Sequence, residues 1–158
     1  MERKSPMLIF LDFDGVLHPQ YDGQPTPGEM AFCHLPKIEP VFREHEVEIV
    51  ISSSWRAFFP LQRLVERFSP DVRQKIVGMT PVLDEENGGF LPHKREKEIL
   101  AWLAINNREG GEWLAVDDAV WEFSAHRDRL IACVWYRGFD ADAENELRLR
   151  LETYKRQP

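Results

Sequence analysis

The sequence predicts an α/β fold: a three-layer α/β/α sandwich around a parallel sheet of about five strands. Three observations carry this. Short continuous apolar runs, the mark of strands buried on both faces, alternate with segments of helical periodicity. Gly and Pro punctuate the joins between them. The 158 residues suit a single domain spanning 1–158, long enough to bury a sizeable core.

The first run, MLIFL at 7–11, reads as a strand covered on both faces. EVEIVIS at 46–52, KIVGM at 75–79, EWLAV at 112–116 and LIACVW at 130–135 give four more. Leu61, Leu64, Val65 and Phe68 follow the i, i+3, i+4, i+7 spacing of one buried helical stripe. Ile99, Leu100 and Leu103 mark a second helix over 93–106, with Gly110 and Gly111 as the stop beyond it. Leu147, Leu151 and Tyr154 mark a C-terminal helix that Asp140 is placed to cap. Residues 18–36 carry four prolines and two glycines and read as a long irregular segment. A second Gly/Pro-containing loop covers 80–92. No repeat or low-complexity tract interrupts the pattern.

Composition narrows the function. Apolar residues make up 43% and charged residues 30%, a globular balance. Twenty Lys and Arg against 27 Asp and Glu leave a net charge of -7. That argues against a nucleic-acid coat, a stable nucleic-acid complex or a binder of anionic membranes. The N-terminal apolar run is too short for a secretion signal or a membrane span, so the expectation is a soluble cytoplasmic protein. Two cysteines, Cys33 and Cys133, make no disulfide framework, and no CxxC or HExxH pattern suggests zinc.

Open α/β sheets bind ligands beyond the carboxyl ends of their strands. After the first strand stands Asp12-Phe13-Asp14-Gly15, after the second Ser52-Ser53-Ser54-Trp55-Arg56, and after the fourth Asp117-Asp118. His93, Lys94, Arg95 and Lys97 open the 93–106 helix. Asp12 and Asp14, two residues apart, share one side of the strand end. Such carboxylates repel one another, and Asp117 and Asp118 add to the repulsion, so the cluster needs a cation. An all-oxygen set suits Mg2+, which keeps waters and takes phosphate oxygens. A carboxylate beside Mg2+ can attack phosphorus, and a second can protonate the leaving oxygen and then activate water.

These residues resemble the four motifs of the haloacid dehalogenase-like (HAD) hydrolases. DFDGVL at 12–17 is similar to hhhDxDGxx, and the serine, the helix-opening cation and the acids of AVDDAV follow in order over residues 7–118. DFDGVLHP, ISSSWR, IVGMTP and the stretch from Arg95 to Leu103 resemble the HAD domain of the Swiss Army Knife RNA repair proteins more narrowly. The resemblance implies a Rossmann-like sheet and a phosphatase working through an aspartyl-phosphate. It makes Asp12 the nucleophile and a Mg2+ ligand. It makes Asp14 the general acid/base, with a backbone carbonyl on the metal, and Ser52 a phosphoryl ligand. Asp118 is the metal-binding acid, with Asp117 beside it. The third motif fits either Lys94 or Arg95; Arg95 has the better helical phase, whereas lysine is the family's usual residue. Only residues 18–45 separate the first motif from the second strand, which leaves room for a capless or minimal-flap member. The implied substrate is a phosphate ester, a small molecule or a nucleic-acid end. A phosphotransferase, or a binding module that keeps the fold, is the alternative.

His18 reads as a surface or substrate-facing residue, Trp55 as packing and Arg56 as a ligand for a second phosphate. The pairs Arg63/Arg67 and Arg148/Arg150 read as solvated helix faces. Trp102, Trp113 and Trp135 read as core.

Overall fold

The computed structural model describes residues 3–21, 26–83 and 89–158, with Glu29 described in its backbone only. Five strands, β1 Met7–Leu11, β2 Val47–Ile51, β3 Ile76–Met79, β4 Trp113–Asp117 and β5 Leu130–Ala132, form one parallel sheet in the order β3-β2-β1-β4-β5. β1 and β4 have the uninterrupted apolar runs of central strands and are buried along their whole length. The chain winds outward from β1 to β3, then returns to lay β4 on the other side of β1. That reversal makes the β1/β4 boundary the switch point of the sheet, where the strand ends diverge and a crevice opens.

Among the described residues five α-helices cover the two faces: α1 Leu35–Glu44, α2 Leu61–Val65, α3 Pro70–Arg73, α4 Lys94–Ile105 and α5 Ala141–Arg156. Alternate strand residues Met7, Ile9 and Leu11 face a core closed by Ile38, Val41 and Phe42 of α1, Leu64 of α2, Val72 of α3 and Leu147 and Leu151 of α5. The intervening residues Leu8 and Phe10 face a smaller core under α4, with Ile99, Trp102 and Leu103. Phe10 meets Trp102 and Trp113 edge-on, each at 5.6 Å between ring centres, a favourable aromatic geometry. Period-two alternation on the strands therefore splits the interior into two layers, as a sandwich requires. Asp140 caps α5, its carboxylate accepting the Ala143 N–H at 3.0 Å.

Several elements differ from the sequence expectation. The stripe from Leu61 to Phe68 is not one helix: α2 ends at Val65, and Ser69 is extended (φ -61°, ψ 147°) before Pro70 opens α3. A residue preceding proline is driven out of the helical region. Buried Glu39 then holds the break, accepting Ser69 N–H and Oγ–H at 2.8 Å each. In α4 Trp102, not Leu100, completes the buried stripe; Leu100 faces outward. β5 stops at Ala132, and Val134 instead pairs antiparallel with Gly138 across a turn. That turn exposes Trp135 to 44%, so Trp102 and Trp113 are core and Trp135 is not.

Between β1 and β2 the described residues form turns, a short 3-10 helix at Gly28–Met30 and α1. Parts of the expected loops, residues 22–25 and 84–88, lie outside the described residues. Cys33 and Cys133 are unpaired. No described helix is long and apolar enough to cross a membrane.

Candidate active site

The chain leaves β1 through a tight loop. Gly15 takes φ +76°, a left-handed conformation that favours glycine. Its N–H donates to the His18 carbonyl at 2.9 Å, while Val16 and Leu17 N–H donate back to the Phe13 carbonyl. This folds the loop down and leaves Asp12 and Asp14 at the mouth of the switch-point crevice. A Cβ on Gly15 would collide with the Asp118 carboxylate, so the missing side chain also makes room for the acid cluster.

Carboxylate oxygens of Asp12, Asp117 and Asp118 lie within 4.8 Å of one another, all three residues buried. Burial and the neighbouring Asp117 charge push the Asp12 carboxyl well above its usual range, against the pull of Arg95. Burial, with Asp117 again contributing, pushes Asp118 up to about 6. The three carboxylates are under-compensated, with one cation among them. A divalent ion is the natural complement of such a set, and hard oxygen donors at this spacing suit Mg2+. The donor chemistry therefore fits the cation. The Asp14 carboxylate is not part of this triplet.

Arg95, not Lys94, is the cation beside the acids. Its Nη1 lies 2.9 Å from Asp117 Oδ2 and 3.2 Å from Asp12 Oδ1. Burial would lower the Arg95 guanidinium, but Asp117 and then Asp12 more than offset this and hold it charged. The first turn of α4 is aimed by the loop after β4. The Glu122 carboxylate accepts the Arg95 N–H at 2.9 Å, and Glu96 accepts the Ser124 N–H at 2.7 Å. Lys94 forms no ion pair with these acids among the described residues; it lines, together with Arg95, a cleft with Phe58, Val82 and Glu122.

Ser52 stands directly beyond β2. The β1/β2 register pairs Leu11 with Ile51, and the Ser52 N–H donates to the Leu11 carbonyl at 2.8 Å, so Ser52 and Asp12 are level on adjacent strands. Ser52 Oγ is buried and makes no hydrogen bond among the described residues. A buried unsatisfied hydroxyl costs roughly 1–3 kcal/mol, which a phosphoryl oxygen accepting from it would recover. Ser53 is used locally: its Oγ accepts the Trp55 N–H and caps the turn that follows.

Asp14 is gripped by two residues that the sequence did not single out for the chemistry. Trp55 Nε1–H donates to both carboxylate oxygens at 3.1 Å, and His18 Nε2 lies 2.7 Å from Oδ1. His18 is fully buried, and its Nδ1 accepts the Phe32 N–H at 3.1 Å. That contact places the ring proton on Nε2, facing Asp14. Burial would raise the Asp14 carboxyl, but the bonds from His18 and then Trp55 outweigh it and hold it below its usual value. His18 is thus neither a surface group nor turned outward, and Trp55 does more than pack. The one local signal was spacing: a Gly15 turn brings the residue four places after Asp14 back beside it.

Arg56 does not face the crevice. Its Nη2 pairs with Glu98 at 2.6 Å and also donates to the Pro81 carbonyl, while Nε and Nη1 donate to the Thr80 and Ser53 carbonyls. The expectation of a phosphate ligand there is corrected: the guanidinium is a buried tie between strand ends and α4. A cavity of about 600 Å3 opens at the opposite, amino-terminal ends of the strands between Lys4, Arg43 and Lys155. It holds no close acid triplet, so the candidate site stays with the carboxyl ends of the strands.

A parallel α/β sheet in this order, with an acid cluster at its switch point and a glycine turn after the first strand, defines a HAD-like Rossmannoid protein. Residues 8–143 match the family described as the HAD domain in Swiss Army Knife RNA repair proteins, and the chain belongs to that family. No curated protein and no solved structure matches the chain. The family points to hydrolase chemistry of the phosphatase type, and the acid cluster is compatible with it.

Proposed function

We propose that this protein is a Mg2+-dependent phosphoric monoester hydrolase working through phospho-Asp12, on nucleotides or nucleic-acid ends. The observation that carries the reading is the buried Asp12/Asp117/Asp118 triplet with an unpartnered Ser52 hydroxyl level with it on the next strand. Asp12, Asp117, Asp118 and the Asp14 carbonyl would hold Mg2+, which supplies charge neutralisation for the transferring phosphoryl group.

The remaining work falls to the chain. Asp12 attacks phosphorus as the ester P–O bond breaks, and Asp14 gives its proton to the leaving oxygen. Asp14 then takes a proton from the water that attacks phospho-Asp12, and inorganic phosphate departs. Ser52 Oγ–H and the Arg95 guanidinium hold the phosphoryl oxygens, so that positioning and electrostatics carry most of the rate. In the free protein His18 and Trp55 favour ionised Asp14. An arriving phosphate dianion opposes them, because nearby negative charge favours the protonated acid.

The test is hydrolysis of a phosphate ester panel with Mg2+ and with EDTA. The panel holds an aryl phosphate, nucleoside monophosphates and RNA oligomers phosphorylated at either end. Activity is expected with Mg2+ and none with EDTA. Mg2+ at a hundred times its dissociation constant is expected to add about 2.7 kcal/mol to stability, read as a rise in Tm. Silence across the panel, in a protein whose Tm still rises, would favour a binding module over an enzyme.

A second prediction concerns the grip on Asp14. Trp55→Phe keeps a ring but removes both N–H contacts. Those contacts fix where the Asp14 carboxyl points, and a misplaced acid group costs roughly tenfold or more, so kcat on an alkyl phosphate is expected to fall about tenfold or more. An aryl phosphate with an acidic leaving group needs less proton donation and is expected to lose less. Equal losses on the two esters would remove Trp55 from the support of the acid.

A further inference from the structure

Six arginines, Arg63, Arg67, Arg73, Arg127, Arg137 and Arg156, form no ion pair among the described residues, and two of them, Arg63 and Arg67, stand together in the cleft beside Trp55. Among the described residues Arg43, Arg108, Arg129, Arg148 and Arg150 each pair with a carboxylate. That is expected where 27 acids face 20 bases. Arg63 and Arg67 are exposed and form no ion pair among the described residues. They stand four residues apart at α2 and the turn after it, a spacing at which like charges repel.

Both line a cleft of about 320 Å3 with Trp55, Phe59, Leu64 and Glu66. Trp55 and Phe59 form its aromatic wall, with ring centres 5.6 Å apart and planes 33° from parallel. The Arg67 guanidinium lies 5.0 Å from the Phe32 ring centre and 5.9 Å from that of Trp55, within cation–π range. Two arginines against one glutamate leave this cleft basic in a chain of net charge -7.

Its position gives the charge a meaning. The indole that lines the cleft is the one whose N–H holds Asp14. The leaving oxygen must come to Asp14 to be protonated, so the leaving group emerges beside Trp55. We propose that this cleft is a subsite for a second phosphate, carried by the leaving group of the substrate. Arg63 and Arg67 bind that phosphate, and the Trp55/Phe59 wall takes a flat apolar portion of the same group. The proposal rests on the reading of Asp14 as the acid at the leaving oxygen. Guanidinium groups suit phosphate because they offer paired N–H donors and keep their charge. Aromatic walls beside such cations accept nucleobases without regard to sequence.

The second phosphate can be a terminal phosphate on a small bisphosphate or the phosphodiester of a strand. Three probes separate these: uridine 3′-monophosphate, uridine 3′,5′-bisphosphate and a 3′-phosphorylated uridine dinucleotide. Their binding to the Asp12→Asn protein is measured by calorimetry, and kcat/KM is measured on the active protein. The bisphosphate, the dinucleotide or both are expected to bind about tenfold more tightly than the monophosphate, the scale of one charge-assisted contact. A preference for the bisphosphate names a free phosphate; a preference for the dinucleotide names a strand. Arg63→Glu and the double variant Arg63→Ala/Arg67→Ala are expected to bring that ratio toward one, chiefly through KM. Among the described residues Arg63 makes no hydrogen bond, ion pair or cation–π contact with Trp55 or Asp14, so its substitution tests the subsite while leaving the bonds that hold the acid in place.

A ratio near one in the parent protein, or one that survives Arg63→Glu, would overturn the subsite. If the monophosphate is hydrolysed with Mg2+ in that case, the phosphatase reading stands alone. Tenfold tighter binding of a second-phosphate probe, lost in the variants, in a protein that hydrolyses nothing would keep the subsite and sink the phosphatase.

Discussion

Asp12→Asn is expected to lower turnover by at least about a thousandfold, the scale seen when a covalent nucleophile is removed, and to stabilise the metal-free protein. The amide keeps an oxygen for the Phe13 N–H, which Asp12 Oδ1 accepts at 2.8 Å. It removes one of three buried carboxylates and leaves the Arg95–Asp117 pair in place. Burial and mutual repulsion raise Asp12 and Asp118 in the fold, Asp118 to about 6. A carboxyl raised on folding contributes stability that is full below its unfolded pKa. That contribution is lost as pH rises through the folded value.

The gain from Asp12→Asn is therefore expected to be near zero below about pH 4 and to grow as the pH climbs through 6. At neutral pH it should reach about 1–3 kcal/mol, since each pKa unit corresponds to about 1.4 kcal/mol. Mg2+ should reverse the order, because the parent protein alone keeps the full ligand set. Denaturant titrations of both proteins at several pH values, with and without Mg2+, read all of this. Substantial turnover by the variant would take the nucleophile's role from Asp12. A metal-free variant no more stable than its parent at neutral pH would mean that the carboxylates are already compensated.

Glu98→Ala is expected to produce the largest loss of stability, about 3–5 kcal/mol, because it strands a buried guanidinium. The Arg56 and Glu98 side chains are 4% and 3% exposed and meet at 2.6 Å. Burial already pushes Arg56 below its usual pKa, with Glu98 opposing. Glu98 also accepts the Leu83 N–H at 3.0 Å, and Arg56 donates to the carbonyls of Ser53 and Thr80. The pair thus ties α4 to the loops after β2 and β3, and its loss loosens the segment next to Ser52. Glu98→Gln keeps a hydrogen-bonding side chain and should cost less than the alanine. Urea unfolding of both variants reads the difference; a Glu98→Ala loss below about 1 kcal/mol would mean that water reaches Arg56 and replaces its partner.

What the sequence by itself determined is the part that local pattern controls. Five largely apolar runs of strand length mark the five strands, most cleanly at β1, which is covered on both faces and has no polar position to interrupt it. The acids and Ser52 are legible because open parallel sheets place function just past their strand ends. Asp140 was legible as a cap because capping is a local hydrogen bond.

Tertiary structure decided what depends on distance across the chain. Lys94 and Arg95 are neighbours in sequence, and only the seating of α4 by Glu122 and Glu96 brings Arg95 to Asp12. His18 and Trp55 look unremarkable until a turn and a strand crossing bring them to one carboxylate from residues four and 41 positions away. Arg56 has the composition of a phosphate ligand, yet a glutamate 42 places later captures it. The stripe from Leu61 to Phe68 satisfied helical periodicity, but Pro70 and the reach of Glu39 broke it. Apolar periodicity reports which side of an element is buried. The partner of a charged side chain is set by which elements pack together, because a charge taken out of water must find its complement wherever the fold supplies one.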